Sequence, residues 1–324
     1  LGFRQAICNY LHQARGVLCE PGQVIIGAGT DYLLMLLCSI WDGSKRIAME
    51  NPTYKRGFRV LQTLGNDMCS VSLDRSGMRM EELEQSRAEV AYVMPSHQYP
   101  LGIVMPVKRR MKLLAWAAAA AGRYIIEDDY DSEFRYHGKP IPCLQGFDRN
   151  SRVIYLGTFS KSIAPAIRVS YMVLPESLME AYRKKGTAFA STVSRVDQMI
   201  VAGFLREGYY ERHLNKMRAL YRGRHDALLE GLKAIPGVRI FGENAGLHVV
   251  AAFENGMTEE EIVARAAEEE IKVYGLSGYY TGKAEKGLGL PAVILGYANL
   301  EEEEIRQAVG RLQNVWSRER SVRK

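Results

Sequence analysis

The chain has 324 residues, 47% hydrophobic and 25% charged, which suits a soluble globular protein of two domains or one large domain with a smaller appendage. Lys and Arg outnumber Asp and Glu by 43 to 37, and the net charge of +6 does not demand a nucleic-acid partner. The apolar stretches are too short and too interrupted to span a bilayer, and none reads as a signal peptide. Five cysteines, Cys8, Cys19, Cys38, Cys69 and Cys143, have no C-x-x-C among them. They read as neither a disulfide framework nor a zinc site and fit a reducing cytoplasm. The helix-like opening on Leu1 suggests a piece of a longer protein, and the basic stretch 318–324 reads as a frayed, solvated end.

Residues 1–15 carry Phe3, Ile7, Tyr10, Leu11 and Ala14 at helical spacing, closed by Gly16 and a Pro21-Gly22 turn. Val24, Ile25 and Ile26 form a short buried strand that runs into Gly27-Ala28-Gly29-Thr30-Asp31, and 32–41 is an apolar helix. Strand, glycine turn and helix start together make an anion site, because backbone N–H groups and the positive helix end face the ligand. The same residues also suit a plain tight turn with Thr30 or Asp31 as the cap. The third glycine of a dinucleotide fingerprint is missing. Strand 46–49 closes with Glu50-Asn51-Pro52-Thr53-Tyr54-Lys55-Arg56. From its end Tyr54 can stack on a flat cofactor and Arg56 can reach an anion, or the segment is a helix-starting turn with solvated cations.

Strand 68–71, a polar helix over 80–87 and strand 90–94 follow, the last ending at Pro95-Ser96-His97-Gln98-Tyr99-Pro100-Leu101-Gly102. His97 has no carboxylate or cysteine at ligand spacing, which speaks against a metal site. An Ala-rich helix over 107–121, capped by Gly122, leads to strand 124–126 and the run Glu127-Asp128-Asp129-Tyr130-Asp131-Ser132-Glu133. Carboxylates at the C-terminal end of a buried strand mark the usual site of an α/β sheet. Cation ligation and solvated acids are the other readings, without the EF-hand pattern. Strands 153–156 and 169–174 flank Gly157-Thr158-Phe159-Ser160-Lys161-Ser162. Thr158, Ser160 and Arg168 around Lys161 can hold a dianionic phosphate beside an amine that forms a Schiff base. Alone, a Ser-Lys pair of this kind reads as a surface lysine in a Ser/Thr-rich turn, and the rest of the chain changes that.

The alternation so far predicts an α/β fold with a mostly parallel sheet covered by helices. After Pro175 come helices 178–185, 194–206 and 209–233, strands 238–241, 247–253, 271–274 and 293–297, and helices 259–269 and 301–316. This is a smaller α+β domain, so a large domain is expected over 1–207 and a small C-terminal domain over 208–324. The Gly-rich run 275–290 reads as a loop that is mobile or faces a ligand.

Gly29-Thr30, Tyr54, Asp128 with Tyr130, and Thr158-Ser160-Lys161 with Arg168 recur at strand ends in one order. Pyridoxal 5′-phosphate wants them all: a lysine, an acid for the pyridine nitrogen, a phosphate cradle and an aromatic platform. With GAGT at 27–30, PSHQYPLG at 95–102, IIEDDYDSEF at 125–134, GTFSKSIAPAIRVSYMVLP at 157–175 and AGLH at 245–248, the chain resembles fold-type-I aminotransferases of the aspartate aminotransferase superfamily. It is more similar still, along nearly its whole length, to the effector-binding domain of MocR-type, GabR-like transcription regulators. The resemblance implies that Lys161 carries the cofactor as a Schiff base, Asp128 pairs with the pyridine nitrogen, Tyr130 bonds the phenolic oxygen and Tyr54 stacks on the ring. It gives the phosphate to Gly29, Thr30, Thr158, Ser160 and Arg168, and places Arg56 near the effector. It also implies a cytoplasmic homodimer, no metal, no membrane, and DNA contact only through an upstream winged helix-turn-helix domain absent from this chain.

Two departures stand out. Tyr99 occupies the place of the Asn that aminotransferases carry before P-x-G, and Gly278 stands where an arginine grips the substrate carboxylate. A bidentate clamp is then missing, so either Arg56 does that job alone or the effector is different. The resemblance supports a sensor, in which an amino acid or amine displaces Lys161 as an external aldimine and shifts a two-state equilibrium. The alternative is a catalytically active aminotransferase with Lys161 as proton shuttle. An inert structural domain would leave Asp128, Lys161 and Arg168 as coincidence.

Overall fold

In the computed structural model, residues 2–136, 142–282 and 288–317 are described. The stretch 318–324 and the middle of the 275–290 loop lie outside the described residues. The apolar rhythm at the start forms α1 (Gly2–Arg15), which buries Phe3, Ile7 and Leu11. β1 (Val24–Gly27) and α2 (Thr30–Ile40) follow, then β2 (Arg46–Asn51), α3 (Lys55–Thr63), β3 (Asp67–Asp74) and the short β4 (Gly77–Met78). Next come α4 (Met80–Gln85), β5 (Val90–Val93), α5 (Val107–Ala118), β6 (Tyr124–Asp129), β7 (Val153–Thr158) and β8 (Ser170–Val173).

These strands build one sheet in the order β1-β8-β7-β6-β5-β2-β3-β4. From β7 through β6, β5 and β2 to β3 every pairing is parallel, while β8 runs antiparallel to both β1 and β7. β1, β5 and β8 are buried at every residue, as a sheet covered on both faces requires. One face packs Tyr92, Ile126, Ile154 and Met172 against α2; the other packs Ala91, Ile125 and Val153 against α4 and α5.

The rest of the chain forms α6 (Glu176–Lys185), α7 (Arg195–Arg206), α8 (Tyr209–Lys233), β9 (Val238–Phe241), β10 (His248–Phe253), α9 (Glu259–Glu268), β11 (Tyr274–Gly275), β12 (Ala292–Gly296) and α10 (Glu302–Trp316). A second, antiparallel sheet has the order β11-β12-β10-β9. No described helix is long and apolar enough to cross a membrane. The division at 207/208 stands as our proposal: the second sheet lies wholly after it, although one apolar cluster runs from Phe3 and Ile7 through Tyr210 to Val249 and Trp316.

Three elements differ from the sequence reading. Helix α3 was read only as the alternative of a helix-starting turn, although its Phe58, Val60 and Leu61 pack on the α2 side of the sheet. The two-residue β4 was not anticipated. The strand expected over 271–274 is reduced to Tyr274–Gly275. Glu270 takes a left-handed φ of 57° and the Ile271 N–H donates to the Ala266 carbonyl at 2.9 Å, so this stretch is spent closing α9.

The connection from β5 to α5 is held from within by Arg110, which is fully buried. Its Nε donates to the Met105 carbonyl at 2.9 Å, Nη2 to Pro95 at 2.8 Å and Nη1 to Pro142 at 2.6 Å. Arg110→Met keeps the stem but leaves the Met105 and Pro142 carbonyls without donors, while the Pro95 carbonyl keeps the Met105 N–H at 2.9 Å, and should cost about 2 kcal/mol or more. Urea unfolding measures this; a loss under about 1 kcal/mol would mean that water replaces the guanidinium.

Candidate functional site

The C-terminal ends of β6 and β7, the start of α2 and the entry to α3 open onto a cavity of about 230 Å³. Every residue given a cofactor or effector role from the sequence lines it: Gly29, Thr30, Tyr54, Arg56, Asp128, Tyr130, Thr158, Ser160, Lys161 and Arg168, whereas Gly278 is not among the lining residues. Asp31, Met94, Tyr99 and Ser170 line it as well.

One end is built for an anion. Gly29 is the N-cap of α2 with φ 92°, and the first N–H groups of a helix lack intrahelical acceptors. A Cβ on Gly29 would stand 2.2 Å from Arg168 Nη2, so only glycine lets the guanidinium lie across this helix start. Arg168 itself is left-handed, with φ 50°. Ser170 Oγ donates to Thr158 Oγ1 at 2.8 Å, and the Ser160 N–H donates to the same oxygen at 3.1 Å. Ser160 Oγ is buried with no partner. A guanidinium, a helix start and an unanswered hydroxyl donor fit a phosphate group. Lys161 is exposed to the cavity and makes no hydrogen bond.

The other end is acidic and aromatic. Asp128 lies at the end of β6, where Tyr92 Oη donates to its Oδ2 at 2.5 Å. Burial pushes the Asp128 carboxyl up to about 7, the Tyr92 hydrogen bond pulls it down, and Asp129 and Asp131 add to the rise. Such a group suits a protonated ring nitrogen, whose positive charge answers the buried carboxylate. Tyr130 is held a phenol by burial, which raises its pKa well above the ordinary tyrosine value. Its neighbour His97 has the carboxylate partner that sequence spacing did not offer: His97 Nδ1 lies 2.9 Å from Asp131 Oδ2. Among the described residues no group of three His, Cys, Asp or Glu side chains is placed to hold a metal.

At the mouth, Arg56 is exposed and ion-paired with Asp31. Tyr99 meets Tyr54, Tyr130 and Tyr279 edge-on, with ring centroids 6.3, 5.9 and 5.6 Å away. Gly278 sits in the short turn Leu276–Tyr279, and a Cβ placed on it would meet nothing within 4 Å. Tyr92, Met94 and Ser170 escaped the sequence reading as site residues, and Asp31 was read only as a candidate helix cap. Ser170 had a signal, since it lies two residues after Arg168 at the start of a strand. Tyr92 had none, because its approach depends on β5 lying beside β6 with Tyr92 opposite Ile126.

The profile of the family "Aminotransferase class I and II" matches residues 1–312. The chain is 41% identical over 316 residues to the HTH-type transcriptional regulator YhdI of Bacillus subtilis, covering 97% of this chain and 66% of that protein. It is 32% identical over 318 residues to the HTH-type pyridoxine biosynthesis transcriptional regulator PdxR of Corynebacterium glutamicum, covering 98% and 68%. The chain thus spans about two thirds of the length of these curated relatives. Among solved structures it is similar to the multiple substrate aminotransferase of Thermococcus profundus, with a TM-score of 0.84 at 27% identity, covering 97% of this chain and 80% of that one. It is also similar to LysN, the α-aminoadipate aminotransferase of Thermus thermophilus, solved with N-(5′-phosphopyridoxyl)-L-leucine, with a TM-score of 0.81 at 27% identity and coverage of 97% and 80%.

The position of Asp128 fixes a pH dependence. Its folded value of about 7 lies above the ordinary 3.8, so its contribution to stability is complete below about pH 4 and is lost as the pH rises toward 7. At about 1.4 kcal/mol per pH unit between the two values the loss reaches a few kcal/mol. Asp128→Asn keeps an acceptor for Tyr92 and has no charge to bury. Thermal melts of the cofactor-free proteins should therefore show the variant gaining on the parent between pH 5 and pH 8. A constant difference would mean that Asp128 ionises like a solvated acid.

Proposed function

We propose that this chain, which belongs to the class I and II aminotransferase family, is the effector-sensing part of a MocR-type transcription regulator and carries its cofactor on Lys161. The cofactor is pyridoxal 5′-phosphate. The observation that carries this reading is the convergence on one cavity of an unengaged lysine, a buried carboxyl and an anion cradle with an orphan hydroxyl. When bound, the cofactor supplies an aldehyde that condenses with amines and a ring that accepts electron density. Lys161 Nζ would be the amine that holds the cofactor's aldehyde carbon, and an incoming amino acid or amine would compete with it for that place. The Asp128 carboxyl would hold the proton of the ring nitrogen. Tyr130 Oη bonds the phenolic oxygen, and Tyr54 covers the ring face. Gly29, Thr30, Thr158, Ser160 and Arg168 bind the phosphate, and Arg56 stands at the mouth for the effector.

The relatives named as HTH-type regulators support the sensor over an enzyme. In this reading the DNA contact belongs to a helix-turn-helix domain outside the chain, and the regulator works in the cytoplasm as a homodimer. Tyr99 and Gly278 support it further. The one cation at the mouth among the described lining residues, Arg56, is already paired with Asp31, so a substrate carboxylate is loosely gripped.

Borohydride reduction followed by intact-mass measurement tests the site. The parent protein should gain one cofactor mass and Lys161→Ala should gain none. In parallel, the loaded protein is titrated with a panel of amino acids and amines, both enantiomers, in the presence of a keto acid. A shift of the visible band by one compound, with no more than one equivalent of new keto acid, fits the sensor. Sustained keto-acid production would instead make the chain a working aminotransferase.

A further inference from the structure

Behind the cavity wall lies a buried cluster that the assignments above do not use. His97 and Asp131 are each 2% exposed, and His97 Nδ1 lies 2.9 Å from Asp131 Oδ2 and 3.0 Å from Tyr130 Oη. His97 Nε2 has no partner. The ring is wedged between two glycines from different parts of the chain. A Cβ on Gly246 would stand 2.2 Å from His97 Cε1 and 2.7 Å from Asp131 Oδ2, and one on Gly102 would stand 3.1 Å from His97 Nε2. Gly246 is locked in turn: its N–H donates to the Phe134 carbonyl at 2.7 Å, and its carbonyl accepts from Tyr297 Oη at 2.6 Å and Tyr136 Oη at 2.9 Å. The segment Ala245-Gly246-Leu247-His248 therefore fixes the imidazole from behind.

One proton decides what this cluster does. Nδ1 can carry a single hydrogen, and a carboxylate at 2.9 Å demands that it point at Asp131. With the proton on Nδ1, Nε2 is a bare lone pair, the cheaper atom to bury without a partner. Nδ1 then cannot accept from Tyr130, so the phenol keeps its own hydrogen, which is left to be shared between Asp131, with which Tyr130 also interacts, and an acceptor in the cavity. We infer that His97 and Asp131 form a positioning dyad that turns the Tyr130 hydroxyl into a donor aimed at the cofactor cavity. The inference rests on the cofactor reading above, since it concerns what Tyr130 offers to a bound ring. His97 acts only through Tyr130.

A double-mutant cycle on the full chain tests this, with cofactor Kd and the position of the visible band as readouts and melts of the cofactor-free proteins as the fold control. His97→Leu removes the donor and keeps much of the volume. His97→Asn restores an N–H near the place of Nδ1. The leucine variant should weaken cofactor binding about tenfold, the worth of one hydrogen bond, and move the band in the same direction as Tyr130→Phe. The asparagine variant should stay within about threefold of the parent. In a Tyr130→Phe background, leucine and asparagine at 97 should give equal affinities and identical bands. A loss at 97 that persists undiminished in that background, or a band that does not move, overturns the dyad. Should the leucine variant fail to fold, the isosteric Asp131→Asn is read in the same cycle, with the same band shift expected only where Tyr130 is present. If the parent itself binds no cofactor covalently, both this inference and the reading beneath it fall; if the parent binds and the cycle is additive, only the dyad falls.

Discussion

Three adjacent carboxylates, Glu127, Asp128 and Asp129, are buried at the end of β6, and a buried carboxylate without partners is costly. Strand alternation deals them to two faces. Glu127 accepts the N–H groups of Leu144 and Gln145, both at 2.7 Å. Asp129 takes Arg15 Nε at 2.7 Å and Tyr155 Oη at 2.5 Å. Those two are structural: they tie α1, β7 and the stretch after the acids to the sheet. Asp128, on the other face, has Tyr92 and the cavity. The difference is a matter of register, since a slip of one residue would send Asp128 to the arginine and expose its neighbours to the site. The site thus depends on β6 being pinned by the two acids that take no part in it.

The second requirement is that pieces far apart in sequence meet at one sheet edge. The reversed strand β8 does this. Running antiparallel between β1 and β7, it brings its own first residues beside the last residues of both: Ser170 lies opposite Gly27 on one side and Thr158 on the other. A parallel β8 would have carried Arg168 to the far end of the sheet. The left-handed turn at Arg168 and the positive φ of Gly29 then bring the guanidinium across the start of α2. The left-handed Arg168 is the strained partner, tolerated where the surroundings hold it in place, while Gly29 takes its positive φ without strain.

Much of this was legible from residue order. Most strands of the large sheet are apolar runs with turn residues after them, so all but the two-residue β4, and the residues presented at their ends, could be read directly. Alternation singled out nothing among the acids beforehand; the choice of Asp128 came from resemblance, and its geometry now has a physical reason in the side of β6 it occupies. Helix α3 has a readable apolar face in Phe58, Val60 and Leu61, but it follows directly on Pro52-Thr53-Tyr54, a turn signal, and was read only as a helix-starting turn. The segment after α9 was misread because an apolar stretch looks like a strand whether its N–H groups pair with a neighbour or close a helix, and Ile271 does the latter. Tyr92 and the His97–Asp131 contact were invisible for a different reason. Both are made across neighbouring elements, and their partners lie 36 and 34 residues away. Spacing rules detect partners on one element, not partners brought together by sheet order.

The mouth of the cavity is where a sensor and an enzyme built on one scaffold should part. Holding an amine at Lys161 needs the cradle, the acid and the ring platform. Turnover needs more: the bond to be broken must be kept at a fixed angle to the ring, and a two-point grip on the carboxylate does that for an amino acid. Here Arg56 is exposed and engaged with Asp31, and Gly278 offers no side chain. Tyr54 and Tyr99 line the cavity there instead. Aromatic surface supplies contact area without a two-point grip on a carboxylate, so a ligand held this way is bound more than it is aimed. Binding energy spent equally on the ligand at rest and in reaction gives affinity without rate. That is a handicap for a catalyst and none for a sensor, whose output in the proposed reading is only the exchange of one amine for another at Lys161.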